Sequence, residues 1–231
     1  SLDWSESEMP EKVIWKEGDV QLREVGGEIL SFTCIDDDYH DWQNEHRKAA
    51  LFLCDRVIRA DVDTAPGKKM KIFSFGKDNN YKTSQVRAWL QKNSQNSSFC
   101  LEPIHTGIQT AYMGSTAAGA FSQTSGRELV RQDIGFQFMN DQLFCLSLEE
   151  ALAYREYLWR FDSGDDNPQS QVSAYSQGYY LRTPFYLQDE NGKFIYNQQI
   201  YGVDLVNGCL RPVRTDSETY GVRPAFALSQ M

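Results

Sequence analysis

The stretch Tyr179–Leu228 decides the fold. It opens with YYLRTP at 179–184, carries Asn-Gly pairs at 191–192 and 207–208, and closes with GVRPAFAL at 221–228. Asn-Gly is typical of two-residue hairpin turns of type I′, because both central residues of that turn need a positive φ. The stretch therefore predicts two hairpins of short antiparallel strands, the second of which joins strands Val203–Val206 and Cys209–Val213 directly.

Two prolines set further limits on these strands. Pro184 is expected to stop the strand Tyr179–Arg182, because proline offers no backbone N–H to a ladder. Pro224 indicates that the closing strand, Gly221–Leu228, lies at an edge or carries a bulge.

Two helices precede this β-rich section. Thr83 or Ser84 can cap a helix whose apolar residues recur at i, i+3 and i+4, and which ends near 93–98. Ser147 and Glu150 have the spacing of a capping box, which begins a helix running to about Trp159. Two main helices followed by a twisted antiparallel sheet of short strands and hairpins predict the α+β class.

The chain shows no internal repeat and no clear linker, so residues 1–231 are expected to form a single domain. Residues 1–19 are polar and acidic and are interpreted as a loosely held lead-in. Residues 106–135 consist largely of Gly, Ala, Ser, Thr and Gln, which predicts a long loop or an insertion.

The charge balance argues against a nucleic acid or an anionic membrane as partner. The net charge is −9 and the isoelectric point is near 4.9, whereas binding to phosphate backbones needs clustered Lys and Arg. No run approaches 18 apolar residues, so membrane insertion is not expected. The sequence begins at Ser1 without Met, which suggests a trimmed or a processed chain and, if a leader has been removed, an extracellular or cell-surface location.

The five cysteines are scattered and lie mostly in apolar, strand-like runs. They are expected to be small buried hydrophobic residues, and their odd number argues against a full disulfide framework.

Four motifs resemble those of an uncharacterised bacterial domain family. They are S-x-x-R-x-W-L at 84–90, LFCLSLEEA at 143–151, YLRTP at 180–184 and GVRPA at 221–225. The corresponding family motifs read roughly W-x-x-S-x-x-R-x-W-L-N, F-L-L-S-x-x-E-A, W-L-R-S-P and G-V-R-P-A, over about residues 28–228. This chain differs in having Tyr81 where the first motif usually has Trp, Gln91 for the final Asn of that motif, and Thr183 for Ser. Residues 106–135 have no clear counterpart in the family.

The tail is also similar to the group that contains C-type-lectin-like domains and the formylglycine-generating enzyme. That resemblance implies a C-type-lectin-like fold, and it implies little about function, because lectins, phage receptor-binding proteins and enzymes all use the fold. The enzyme's paired tail cysteines are not matched, since Cys209 is the only cysteine in the C-terminal β section.

Arg182 and Arg223 each follow a large apolar residue, with a proline one or two positions on. The favoured interpretation is that each guanidinium is partly buried and donates to backbone carbonyls or a carboxylate, so that it ties the last strands to the loops. The alternative is a clamp for a ligand carboxylate or sugar hydroxyl.

Two acidic clusters raise the question of a cation. One is Asp36–Asp38 with Asp41; the other contains Asp162, Asp165 and Asp166, where Ca²⁺ is the alternative to a solvated acidic turn. Neither has EF-hand spacing, and the three histidines form no metal-binding motif, so neither a metal nor another cofactor is expected.

Tyrosines provide the best functional signal. Tyrosines between polar residues in turns are typical of recognition surfaces, because they offer large contact areas at low entropic cost. The candidate binding residues are Tyr175, Tyr179, Tyr186, Tyr196, Tyr201, Tyr220, Arg182 and Arg223.

The first hypothesis is a non-enzymatic binding module of bacterial or phage origin, which recognises a glycan or a protein through turns around 162–180 and 196–220. The second is an enzyme that combines the carboxylates of 36–41 with Arg182 or Arg223. The third is a structural domain of a larger surface protein. The sequence gives no oligomeric state.

Overall fold

The computed structural model describes residues 14–40, 48–58, 63–65, 68–69, 74–94, 104–109, 112–114, 121–122, 129–131, 136–161, 177–188, 191 and 194–230. The helices are α1 (Gln85–Asn93) and α2 (Leu148–Ala153). The strands are β1 (Val20–Val25), β2 (Glu28–His40), β3 (Lys48–Cys54), β4 (Asp63–Ala65), β5 (Lys68–Lys69), β6 (Ile104–Gln109), β7 (Tyr112–Gly114), β8 (Phe121–Ser122), β9 (Leu129–Arg131), β10 (Phe136–Asp141), β11 (Gly178–Gln188), β12 (Phe194–Asp204), β13 (Cys209–Arg214), β14 (Tyr220–Gly221) and β15 (Ala225–Ser229).

Two sheets form the body of the fold. A four-stranded antiparallel sheet has the order β1-β2-β3-β15, and a seven-stranded mixed sheet has the order β8-β13-β12-β11-β7-β9, with β14 paired to β11. The pairs β10-β6 and β4-β5 are separate. The described structure is mostly β.

The two predicted helix starts are confirmed, but the helices are short and the α+β prediction overstates them. Ser84 accepts a hydrogen bond from the Arg87 N–H, and Ser147 with Glu150 forms the complete capping box. The second helix ends at Ala153 rather than near Trp159, because the next residues tighten into a 3₁₀ turn at Arg155–Tyr157.

Strands β11 and β12 are antiparallel and Asn191 lies between them, as predicted for the first hairpin, whereas its predicted turn residue Gly192 lies outside the described residues. Pro184, however, does not stop β11. The pairing of β11 with β12 shifts register between Tyr180 and Pro184, and the Arg182 N–H donates to the Leu146 carbonyl instead. Pro184 therefore stands directly after an interruption of the ladder, where the pairing resumes opposite Ile200.

The second hairpin differs from the predicted two-residue turn. Asp204 pairs with Cys209, so four residues connect the strands. The Asp204 carboxylate accepts the backbone N–H groups of Val206 and Asn207, both at 2.9 Å, and thereby builds the turn from its side chain.

The predicted closing strand is divided between the two sheets. Tyr220 and Gly221 pair with β11, Val222 exchanges backbone hydrogen bonds with Ile58, and β15 pairs with β3. A side chain at Gly221 would place its Cβ 2.4 Å from the Ile58 carbonyl oxygen, so the crossing needs glycine.

The core covers both faces of the central strands. Alternate residues of β3 enter two different apolar clusters: Phe52 and Cys54 lie in one, and Leu51 and Leu53 in the other. Residues buried on both faces give a continuous apolar run, as at Ala49–Cys54.

The remaining organisational predictions concern segments that are described only in part. Within 106–135 the structure describes β7, β8, β9 and most of β6; the other residues lie outside the described ones. In the lead-in, the Trp15 ring meets Phe52 edge-on at a centroid distance of 5.5 Å. The single domain stays a prediction. None of the described helices has the length and apolar character needed to cross a membrane.

Candidate functional site: a polar cleft beside Tyr220

A cleft of about 600 Å³ lies where β12, β13 and the segment 214–220 meet. Its volume is in the range of small-ligand sites. Polar side chains dominate its lining, which consists of Gln177, Gln199, Asp204, Val206, Asn207, Arg211, Pro212, Val213, Arg214, Asp216, Ser217 and Tyr220.

Two glycines determine the position of the Tyr220 ring. A Cβ at Gly178 would lie 2.5 Å from Cε1 of Tyr220, and a Cβ at Gly202 would lie 3.3 Å from the same atom. The half-buried ring therefore lies over two adjacent strands at positions that only glycine leaves open, and Tyr180 contacts it at 5.8 Å between centroids. Burial and the Asp204 carboxylate raise the pKa of Tyr220, so its hydroxyl stays protonated at neutral pH.

The segment 214–220 forms a fixed wall. Its backbone is hydrogen bonded to three separate parts of the chain: Thr215 to Phe75 and to Gln198, and Thr219 to Gln177. The Tyr180 hydroxyl donates to the Ser217 carbonyl at 2.9 Å. These bonds hold Tyr220 and Ser217 in place without a ligand.

The charges in the cleft are arranged in pairs. Arg211 donates to Asp204 at 3.2 Å, and Arg214 makes two hydrogen bonds to Asp216, at 2.8 and 2.9 Å. Burial raises the pKa of the Asp204 carboxyl, but Asn207 and Arg211 outweigh burial and the net shift is downward. The cleft is therefore close to neutral, although four ionised side chains line it.

The predicted site residues fall into three groups. Tyr220 lines the cleft. Tyr179 and Tyr201 are buried in the core and are not available at the surface, because β11 and β12 are covered on both faces. Tyr175 lies outside the described residues, and the side chains of Tyr186 and Tyr196, on β11 and β12, are outside the description as well.

The two predicted arginines are buried and hold the backbone together. Arg182 pairs with Glu150 at 2.5 Å and donates to the Cys145 carbonyl at 2.6 Å. The Arg223 guanidinium lies 4.3 Å from the centre of the Phe161 ring. Its backbone acceptors are the carbonyls of Cys54, Tyr157, Leu158 and Arg160. Neither guanidinium reaches the cleft, which agrees with the favoured interpretation from the sequence.

The carboxylate nearest to Arg182 is not one of the predicted aspartates. Glu150 accepts from Tyr39 at 2.7 Å as well as pairing with Arg182, and Asp36 accepts from Tyr154. Glu150, Tyr39 and Arg182 form one largely buried group, and Asp36 and Tyr154 form a separate half-buried pair. Among these described residues the enzyme hypothesis obtains no open pair of Asp and Arg.

Metal binding finds no support among the described residues, where no group of three or more His, Cys, Asp or Glu side chains could hold an ion. The acidic cluster with Asp162, Asp165 and Asp166 lies outside those residues. Of the cysteines, Cys34, Cys54 and Cys145 are buried free thiols, as predicted, and Cys209 is half-buried.

Several cleft residues were not predicted from the sequence. Asp204 was identifiable, because an Asp can accept the backbone N–H two residues further on and so close a turn, and here an Asn-Gly pair follows three residues later. Gln177, Gln199 and Arg211 carry no signal of their own. Their convergence depends on the register of β12 with β13, in which Gly202 faces Arg211.

Comparison with known families gives one match. The family described as a domain of unknown function, DUF6273, matches residues 51–230, which is most of the chain. No curated protein and no solved structure matches. The resemblance to an uncharacterised domain family is thus confirmed: the chain belongs to the DUF6273 family of domains of unknown function.

Proposed function

We propose that this chain is a binding module that recognises a glycan in the cleft beside Tyr220. The observation that carries the proposal is a preformed polar cleft of about 600 Å³ with an aromatic ring fixed in its wall. The motifs of the tail further support the proposal that the fold is a distant relative of C-type-lectin-like domains.

The functional groups in the cleft suit a neutral, polyhydroxylated ligand. The two Arg–Asp pairs leave little net charge to attract an ion. The amides of Gln177 and Gln199 supply both donors and acceptors, and the Tyr220 ring offers an apolar surface to the C–H groups of a sugar. Such a combination of a few placed polar groups with one aromatic ring fixes both the orientation and the identity of a ligand.

Arg211 adds a donor that can recognise a hydroxyl. Its side chain is 48% exposed, and its Nη1 is the atom that bonds to Asp204. The guanidinium carries five N–H donors, so others are left to point into the cleft. Asp204 keeps the arginine in position, and the ligand meets an oriented donor.

The test is a glycan array probed with the labelled chain, followed by calorimetric titration of the best ligand. Tyr220→Ala and Gln199→Ala are each expected to weaken binding by about tenfold or more, since one lost contact of about 1.4 kcal/mol has that effect. The matched controls are Tyr157→Ala, another half-buried tyrosine, and Gln198→Ala, the neighbour of Gln199 whose side chain does not line the cleft. Both are expected to bind like the wild type.

Circular dichroism and thermal melting identify variants that fail to bind only because they are unfolded. Tyr220→Phe keeps the packed ring and removes only the hydroxyl, so its comparison with Tyr220→Ala separates the contribution of the ring from that of the hydroxyl. Absence of binding to every glycan, or full binding by both cleft variants, would overturn the proposal.

A further inference from the structure

The hairpin of β1 and β2 exposes several apolar side chains. Among the described residues, Val20, Leu22 and Ile29 are exposed to 43, 62 and 71%, and they lie on adjacent strands β1 and β2. Exposed apolar residues that cluster on one surface mark an interaction site more often than isolated ones do.

These three side chains share one face of the four-stranded sheet. In the register of β1 with β2, Val20 faces Thr33 and Glu24 faces Ile29, so the side chains lie on the same side. On the same face further into the sheet, Thr33 is opposite Leu53, which is buried in the second core cluster. That face of the sheet is thus buried in the core at β3 and exposed to solvent at β1 and β2.

The backbone of β1 is open as well. In the described part of the chain, β1 pairs with β2 and with no strand on its other side. Val25 and Glu28 flank a two-residue turn, and hydrogen-bonded pairs alternate along an antiparallel ladder. Val20 and Leu22 therefore direct their N–H and C=O groups away from β2. Side chains of the same strand serve as partial substitutes for a neighbour: Gln21 donates to the Val20 carbonyl at 3.2 Å and Arg23 to the Leu22 carbonyl at 2.8 Å.

Arg23 provides an independent sign of an incomplete surface. Its guanidinium lies 5.1 Å from the centre of the Phe226 ring, and its Nε is buried without an acceptor among the described residues. A buried donor without a partner is costly, so a group that supplied an acceptor here would bind favourably.

We propose that two copies of this chain associate through β1, as antiparallel strands related by a two-fold axis at Leu22. Leu22 then pairs with Leu22 of the second copy. The hydrogen bonds between the two backbones replace the one that the Arg23 guanidinium donates to the Leu22 carbonyl. Gln21 accepts from Arg23 of its own chain at 3.1 Å. In the dimer it comes to lie opposite Arg23 of the second copy, whose guanidinium can donate to the same amide oxygen. The two four-stranded sheets become one continuous sheet.

The sequence of β1 favours a second copy over an unrelated strand. With Leu22 on the axis, Val20 lies opposite Glu24 of the second copy, and no two like charges face each other. The exposed Val20, Leu22 and Ile29 of both copies then form one apolar stripe across the joint face. A self-complementary patch is what a two-fold dimer requires.

The experiment is sedimentation velocity of the whole chain over a wide concentration range. The wild type is expected to show a reversible monomer–dimer equilibrium. Leu22→Lys places two ammonium groups opposite each other and is expected to raise the dimer dissociation constant by about tenfold or more. Leu22→Pro removes an N–H that the monomer does not use, and it is expected to abolish the dimer while the monomer stays folded.

Ile14→Lys is the matched control. It introduces the same charge at an apolar residue that is exposed to 61%, nearly as much as Leu22, but lies outside β1, and it is expected to remain dimeric. A wild type that is monomeric at every concentration overturns the proposal, and so does a dimer that persists in both Leu22 variants. Both results are independent of glycan binding.

Discussion

Arg182 forms an ion pair with Glu150, the same residue whose carboxylate closes the capping box of α2 by accepting the Ser147 N–H. The pair links β11 of the seven-stranded sheet to α2, and both side chains are largely removed from solvent. The motifs LFCLSLEEA and YLRTP thus meet at one buried contact, which holds a helix on a sheet and lies away from the cleft.

Replacement of Arg182 with Met is expected to lower the free energy of unfolding by about 3–5 kcal/mol, because it leaves the Glu150 carboxylate buried without its partner. The measurement is urea denaturation at neutral pH. Arg214→Met is the matched control: its ion pair with Asp216 is fully exposed, and its denaturation midpoint is expected to stay at the wild-type value. Equal destabilisation by the two variants would contradict the prediction.

The ion pair of Arg182 and Glu150 also makes the stability of the fold depend on pH. Burial raises the pKa of the Glu150 carboxyl, but the Arg182 charge and the hydrogen bonds from Ser147 and Tyr39 outweigh burial and lower it overall. The pKa of Glu in an unfolded chain is about 4.3. As the pH falls from there through the folded-state pKa, the unfolded chain binds more protons than the folded one, and this contribution to stability is lost.

We therefore expect the urea midpoint of the wild type to fall in this acidic window more steeply than that of Glu150→Gln, which has no proton to bind at this position. The matched control is Glu149→Gln, an exposed carboxylate in the same helical turn. If Glu150→Gln retains the wild-type pH dependence, the buried pair is not its source.

Gly221, at the crossing between the sheets, is expected to be hard to replace. Gly221→Ala would bring a Cβ to 2.4 Å from the Ile58 carbonyl oxygen, and overpacking of this kind costs about 1–3 kcal/mol or more. Gly208→Ala tests a different cause: its φ is +65° and the space around it is open, so the cost is the left-handed conformation alone, about 1–2 kcal/mol. Thermal denaturation should show the larger loss for Gly221→Ala.

The sequence predicts local structure here better than it predicts which residues are exposed. Capping boxes and hairpins depend on neighbours in the chain, so Ser147 with Glu150 and the strands around Asn191 were identifiable. The burial of Tyr179 and Tyr201 depends on what covers the second face of a strand, and an aromatic residue next to polar ones gives no sign of that. Tyr220 differs because glycines on the adjacent strands β11 and β12 make room for its ring.

The motif GVRPA illustrates the same limit. From the sequence it resembles a continuous edge strand, whereas the chain changes sheets within it. The change is stabilised by contacts at large sequence separation, such as that of the Arg223 Nε with the Cys54 carbonyl at 2.7 Å. Local propensity does not encode such a contact. The sequence therefore predicts the strand itself but not the point at which it passes from one sheet to the other.

The described thiols are expected to differ sharply in reactivity. Burial raises the pKa of Cys34 and Cys145 to about 12 and that of Cys54 to about 11, so almost no thiolate forms at these positions at neutral pH. Cys209 is half-buried, at the start of β13, and a reagent can reach it.

In a Cys100→Ser background, which leaves only these four thiols, we expect iodoacetamide at mildly alkaline pH to modify the native chain at Cys209 first. The other three should react only at the rate of global unfolding, because their burial has to be lost before the thiolate forms. Peptide mass spectrometry at several times and urea concentrations measures each site. Rapid modification of Cys54 in the native chain would mean that the β3–β15 contact, whose strand-end bond joins the Cys54 N–H to the Pro224 carbonyl at 2.9 Å, opens independently of the rest of the fold.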